Sequence, residues 1–140
     1  MVLTKTPICN LNEEAIDFKL LGTDGKMWSL ADCRGEHGTL VMFICNHCPY
    51  VKAIQKNLIE DARKLIESGV NSVAIMSNDP QDYPEDSFEN MKKISEKYNF
   101  PFPYLFDETQ KIAKAYNAVC TPDFFGYNKL LKLQYRGRFD

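Results

Sequence analysis

Thr39-Leu-Val-Met-Phe-Ile-Cys-Asn-His-Cys-Pro-Tyr-Val-Lys-Ala53 is the stretch that decides how the chain is read. An apolar, β-prone run from Leu40 to Ile44 ends at two cysteines spaced C-x-x-C, Cys45 and Cys48. A run without alternation suits a strand buried on both faces of a mostly parallel sheet. Helical periodicity begins at Pro49, with Val51, Ile54, Leu58, Ala62 and Leu65 on one stripe and most of the charged residues off it. Gly69 closes that helix in the usual C-terminal manner. Strand, C-x-x-C and helix in this order is the setting in which the pair reads as redox-active.

Working outward, Ala15 to Leu21 and Lys26 to Leu30 read as two strands of a hairpin turning at Asp24-Gly25. Asp32 to Gly38 is polar and glycine-punctuated, which predicts a loop, and Cys33 is expected there without a role, as is Cys9 nearer the start. Asn71 to Ser77 predicts a second central strand, and the two prolines between Asn78 and Glu85 predict a loop. A helix over Asp86 to Tyr98 places Phe88, Met91, Ile94 and Tyr98 on one face. Phe102 to Phe106 is extended, Thr109 to Tyr116 suits a short helix, and Phe124 to Tyr127 with Leu130 to Tyr135 suits a hairpin. The sum is one α/β domain over residues 1–140, a mixed sheet flanked by helices. One sheet face is short of a covering helix. Either a second subunit covers it, as in a homodimer, or residues beyond 140 do.

Composition excludes several classes. The net charge of −2 comes from interleaved signs with no basic stripe, which argues against nucleic acid. No apolar run approaches the ~20 residues of a membrane span. The start at Met1 lacks a signal peptide's charged region and long apolar core, so a reducing cytoplasm is the expected location. Five cysteines, an odd number with only one close pair, are not a staple framework and lean toward catalysis or metal.

The spacing has chemical consequences. With Cys45 at the helix N-cap and Cys48 one turn in, the two sulfurs share a face within reach of a disulfide. The free N–H groups and the positive end of the macrodipole then meet the Cys45 sulfur and favour its thiolate. A free cysteine of pKa about 8.5 is only about 3% thiolate at neutral pH, whereas a pKa near 6 makes it about 90%. A protonated His47 works in the same direction, although a helix N-terminus disfavours imidazolium, so the two effects on it compete. Cys45, at the open end, is expected to attack a disulfide, and Cys48 to resolve the mixed disulfide. The redox-active Cys45–Cys48 pair then needs no other cofactor.

Four stretches carry a resemblance. Asp17 to Leu30, Thr39 to Ala53, Tyr83-Pro-Glu-Asp-Ser87 and Val119-Cys-Thr-Pro-Asp-Phe-Phe125 together resemble the thioredoxin-like superfamily in its peroxiredoxin-like branch, the AhpC/TSA and TlpA-type proteins. The resemblance implies a thioredoxin-like fold with an N-terminal β-hairpin extension, and the final, C-terminal helix of that fold is not found over these residues. It implies a thiol–disulfide oxidoreductase acting on a disulfide-containing protein or a small thiol, re-reduced by a thioredoxin- or glutathione-type system. It also implies that Thr121–Pro122 is cis and packs against the cysteine pair. Cys120 comes near the site with it, as a third redox thiol or as a buried small residue.

The departures matter as much. Peroxiredoxins carry Pro-x-x-x-Thr-x-x-Cys, and setting their cysteine at Cys48 puts Val41 at the proline and Cys45 at the threonine. The hydroxyl that helps to hold peroxide is absent, so a thiol peroxidase is the second expectation rather than the first. The buried acid that assists thioredoxins has Asp79 as its nearest counterpart. A third expectation of another class is copper or zinc binding, or metal delivery, through Cys45, His47 and Cys48, since soft sulfur ligands suit Cu(I) and zinc.

Overall fold

In the computed structural model, the described residues are 13–44, 49–77, 84–118 and 123–137, without the side chains of 49–54 and 85. Gly38–Phe43 (β3) and Val70–Met76 (β4) are the centre of the fold, paired in parallel with Phe43 beside Ile75. The crossover between them is Pro49–Glu67 (α2). Phe88–Lys97 (α3) then leads to Tyr104–Phe106 (β5), parallel to β4. Lys19–Gly22 (β1) and Met27–Ser29 (β2) are the expected hairpin, and β1 lies antiparallel on β5. Asp123–Asn128 (β6) runs antiparallel to β3, and Leu133–Gly137 (β7) closes the far edge. The described strands make one mixed sheet in the order β2-β1-β5-β4-β3-β6-β7.

Side chains leave a strand on alternate faces, so each central strand feeds two cores. Met42, Ala74, Met76, Tyr104 and Phe124 meet Leu58, Ile59 and Ala62 of α2 and Met91 of α3 on one side. Val41, Phe43, Val73, Ile75, Leu105, Phe125 and Tyr127 form the other side with Leu30, Cys33 and Tyr116. Short helices Leu30–Cys33 (α1) and Lys111–Ala115 (α4) lie with this second core. A groove of about 360 Å³ lies open beside α2, lined by Leu40, Leu58, Ala62, Leu65, Phe124 and Tyr135 with Asp61 and Lys64 at its rim.

Several local expectations change. The segment around Cys33 is a helical turn, because Ser29 and Asp32 form a reciprocal capping box at its start. Cys33 is therefore a core residue, 3% exposed, and not a loop cysteine. The helix expected from Asp86 begins at Phe88, capped by Ser87, after a 3₁₀ turn at Pro84–Asp86. Tyr98, placed on its inner face by periodicity, is instead 43% exposed because the helix has already ended at Lys97. Gly69 does terminate α2: its φ of +81° suits a left-handed residue, and a Cβ there would meet His37 Cδ2 at 2.4 Å.

Candidate active site

The parallel strands β3, β4 and β5 end side by side at Phe43, Met76 and Phe106. In open α/β sheets, ligands bind outside the carboxyl ends of the strands. Phe43 is also the register partner of Asp123, where β6 begins. Ile44 continues β3 by donating its N–H to Ile75 O at 3.0 Å. The predicted site residues Cys45, His47, Cys48, Cys120, Thr121 and Pro122 lie outside the described residues, as do Cys9 and Asp79. What the structure does bring together is two of their flanks, the end of β3 and the start of β6.

α2 begins directly after Cys48 in sequence and carries no acidic residue in its first turn. Its unpaired N–H groups and dipole are therefore not offset by a carboxylate from its own chain end. Behind the end of β3 stands an aromatic block. The Phe43 ring lies 5.5 Å from that of Tyr116 and 5.8 Å, edge-on, from that of Phe125. The Tyr116 hydroxyl donates to Ile16 O at 2.5 Å. Burial pushes the Tyr116 phenol far up. The Cys33 thiol in the same core is pushed up to about 12, by burial first and then by the Asp32 charge. Such a thiol is chemically quiet.

Polar groups that periodicity does not signal also lie at this end. Asp107, 1% exposed, follows β5, and its Oδ2 accepts from Ser77 Oγ at 2.8 Å and from Ala113 N–H at 3.0 Å. It ties β4 and α4 to the end of β5. Asp123 and Arg136 form an ion pair at 3.1 Å, their side chains only 4% and 5% exposed. The Arg136 guanidinium lies 4.6 Å over the Phe125 ring and donates through Nη2 to Asn117 O at 2.6 Å. The hairpin register of the structure sets Arg136 opposite Phe125, two residues beyond Asp123, and no local pattern in the sequence marks the pair. Among the described residues no cluster of three His, Cys, Asp or Glu could hold a metal ion; the candidate ligands Cys45, His47 and Cys48 are not among them.

A family model for AhpC/TSA proteins matches residues 11–139. No curated protein matches the chain. Among solved structures, an uncharacterized conserved protein from Geobacillus kaustophilus is 49% identical, with a TM-score of 0.92, over 96% of this chain and 71% of that one. A hypothetical protein from Sinorhizobium meliloti 1021 is 41% identical, with a TM-score of 0.91, over 95% and 73%. A thiol:disulfide interchange protein of the thioredoxin family from Chlorobium tepidum TLS superposes with a TM-score of 0.75 at 18% identity, over 95% and 90%, which is a likeness of fold. The thioredoxin-like architecture is shared throughout.

Proposed function

The chain belongs to the AhpC/TSA family, and from that premise we propose that it is a thiol–disulfide oxidoreductase working through Cys45 and Cys48. The Cys45 thiolate attacks one sulfur of a substrate disulfide. A mixed disulfide forms, and the other substrate sulfur leaves as a thiolate that takes up a proton. Cys48, deprotonated, then attacks the Cys45 sulfur, releases the second substrate thiol and closes the Cys45–Cys48 disulfide. Two electrons have passed from the protein dithiol to the substrate, and an external thioredoxin- or glutathione-type reductant restores the dithiol. The reading places this cycle in a reducing cytoplasm, on a disulfide-containing protein or a small-molecule disulfide, with a small thiol running the same exchange in reverse.

The observation that supports it best is the pairing of Phe43 with Asp123, together with a long helix starting at Pro49. Phe43 lies two residues before C-x-x-C in sequence and Asp123 directly follows Thr121–Pro122, and the two are register partners at one end of the sheet. A helix N-terminus free of acidic residues favours an ionised sulfur beside it. Val41 weighs against hydroperoxide reduction. At the position of the peroxidase proline it sits mid-strand, paired on one side with Val73 and on the other with Phe125. Such a central position does not suit the proline of the peroxidase pattern. The test is catalysed reduction of insulin by the reduced protein, with Cys45→Ser expected to abolish turnover and Cys48→Ser expected to accumulate a mixed disulfide with substrate.

A further inference from the structure

We infer that Arg136 is a positioning residue for the exchange reaction: its guanidinium ties the end of α4 to the start of β6 and so fixes both anchors of the chain between them. One nitrogen, Nη2, reaches Asn117 O at 2.6 Å and Asp123 Oδ2 at 3.1 Å. Asn117 closes α4, and Asp123 opens β6 opposite Phe43. The residues between these anchors include Cys120, Thr121 and Pro122. The inference rests on the functional reading above only for the consequence of the tie, not for the tie itself.

Three features separate this from an ordinary surface ion pair. Both side chains are nine-tenths buried or more, and the guanidinium is stacked on Phe125, so its orientation is fixed by packing as well as by charge. Asn117, with a φ of +57°, is the left-handed residue that closes α4, its N–H donating to Lys114 O at 3.0 Å. Arg136 bonds the carbonyl of that residue. Arg136 Nε, in turn, is buried with no hydrogen-bond partner among the described residues. The side chain is thus aimed to serve Asn117 and Asp123 while one of its own donors goes unmet, and such exceptions call for a reason. A buried ion pair by itself is weak grounds for stability, since an apolar pair often replaces it without loss. An apolar pair could not bond the Asn117 carbonyl. Nor could a lysine ammonium lie flat over Phe125 while serving both acceptors.

The test compares Arg136→Lys, which keeps the charge, with the double variant Asp123→Asn/Arg136→Met, which leaves neither charge of the pair. Amide exchange is read at Ala118, whose N–H donates to Ala113 O at 2.9 Å at the end of α4, and at Val41 in the middle of β3. Both variants should exchange Ala118 faster by about tenfold or more, with Val41 at the rate of the unaltered protein. With a disulfide-bonded peptide, KM should rise and kcat/KM fall by about tenfold to a hundredfold, the usual cost of a small misplacement. The alkylation rate of Cys45 and its pH midpoint should not move. Unchanged Ala118 exchange overturns the inference, and so does loss of Val41 protection alongside it, which would make Arg136 a general support of the fold. Parallel loss of Cys45 alkylation and peptide turnover overturns it as well, by making the effect one on the thiol. Should the unaltered protein fail to reduce any disulfide, the functional reading falls alone, and the Ala118 measurement still decides the tie.

Discussion

Phe43, the last residue of β3, stands directly opposite Asp123, the first residue of β6, in antiparallel register. One side chain of the pair enters the aromatic block with Tyr116 and Phe125, and the other enters the buried ion pair with Arg136. Apolar packing and a paired charge thus hold the same end of the sheet.

The aromatic side of this relationship gives the first prediction. Phe43→Ala empties space against Tyr116, Phe125 and the core of β4, and truncating a buried phenylalanine costs about 3–5 kcal/mol. Urea unfolding monitored by far-ultraviolet circular dichroism should show a midpoint lowered accordingly. A loss under about 1 kcal/mol would mean that the block is loosely packed, against the usual cost of such a cavity.

Asp107 gives a second. Asp107→Ala leaves the half-buried Ser77 hydroxyl and Ala113 N–H without their acceptor, where full burial would cost about 1–3 kcal/mol for each group and half-burial costs less. Asp107→Asn keeps one carbonyl oxygen and should lose less. Equal unfolding free energies for the three proteins would show that the carboxylate holds nothing.

Cys33 should be silent in the native protein. It is 3% exposed with its thiol pushed up to about 12. At pH 8 that leaves a thiolate fraction of about 10⁻⁴. Iodoacetamide followed by peptide mass mapping should label Cys33 only after denaturation. Native labelling at the rate of a free thiol would contradict its place in the core.

The same burial sets an alkaline limit. Cys33 and Tyr116 both have folded values above those they have when unfolded, about 8.5 and 10. Below pH 8 each is protonated in both states, and their protonated forms cost nothing. Above those values the unfolded chain gives up protons that the native one keeps, so stability falls with pH, by about 1.4 kcal/mol per unit for each group so perturbed. Urea midpoints of the reduced protein at pH 8, 9 and 10 should decline. Cys33→Ala should flatten the decline between 8 and 9, whatever it does to the midpoint at pH 8. An identical slope for the variant would remove Cys33 as its cause.

What the sequence showed and hid follows from what each element depends on. β3 was legible because five apolar residues in a row have few other readings, and α2 because its stripe from Leu58 to Leu65 continues past any ambiguity. The hairpin of β1 and β2 was marked by Asp24-Gly25, and Gly25 does take a φ of +84°. Cys33 was misplaced because a capping box of Ser29 and Asp32 can start a helix within a polar run, where periodicity has nothing to count. Tyr98 was misplaced because a stripe does not say where the helix stops. Asp107, Asp123 and Arg136 were hidden for another reason. A buried charge is chosen by partners distant in sequence, and no local pattern distinguishes it from a solvated one. The motif at Cys45 and Cys48 was legible as chemistry through its spacing, whereas its geometry belongs to residues outside those described.

The central claim is that Cys45 is an ionised nucleophile at a helix N-terminus, and the rate of its alkylation against pH tests it most directly. In the reduced protein, with each site resolved by mass mapping, the labelling of Cys45 by iodoacetamide should follow a titration with its midpoint well below the free-thiol value of about 8.5. Cys48 should react more slowly throughout. A Cys45 midpoint at or above that of a free thiol, or a faster Cys48, would contradict the account.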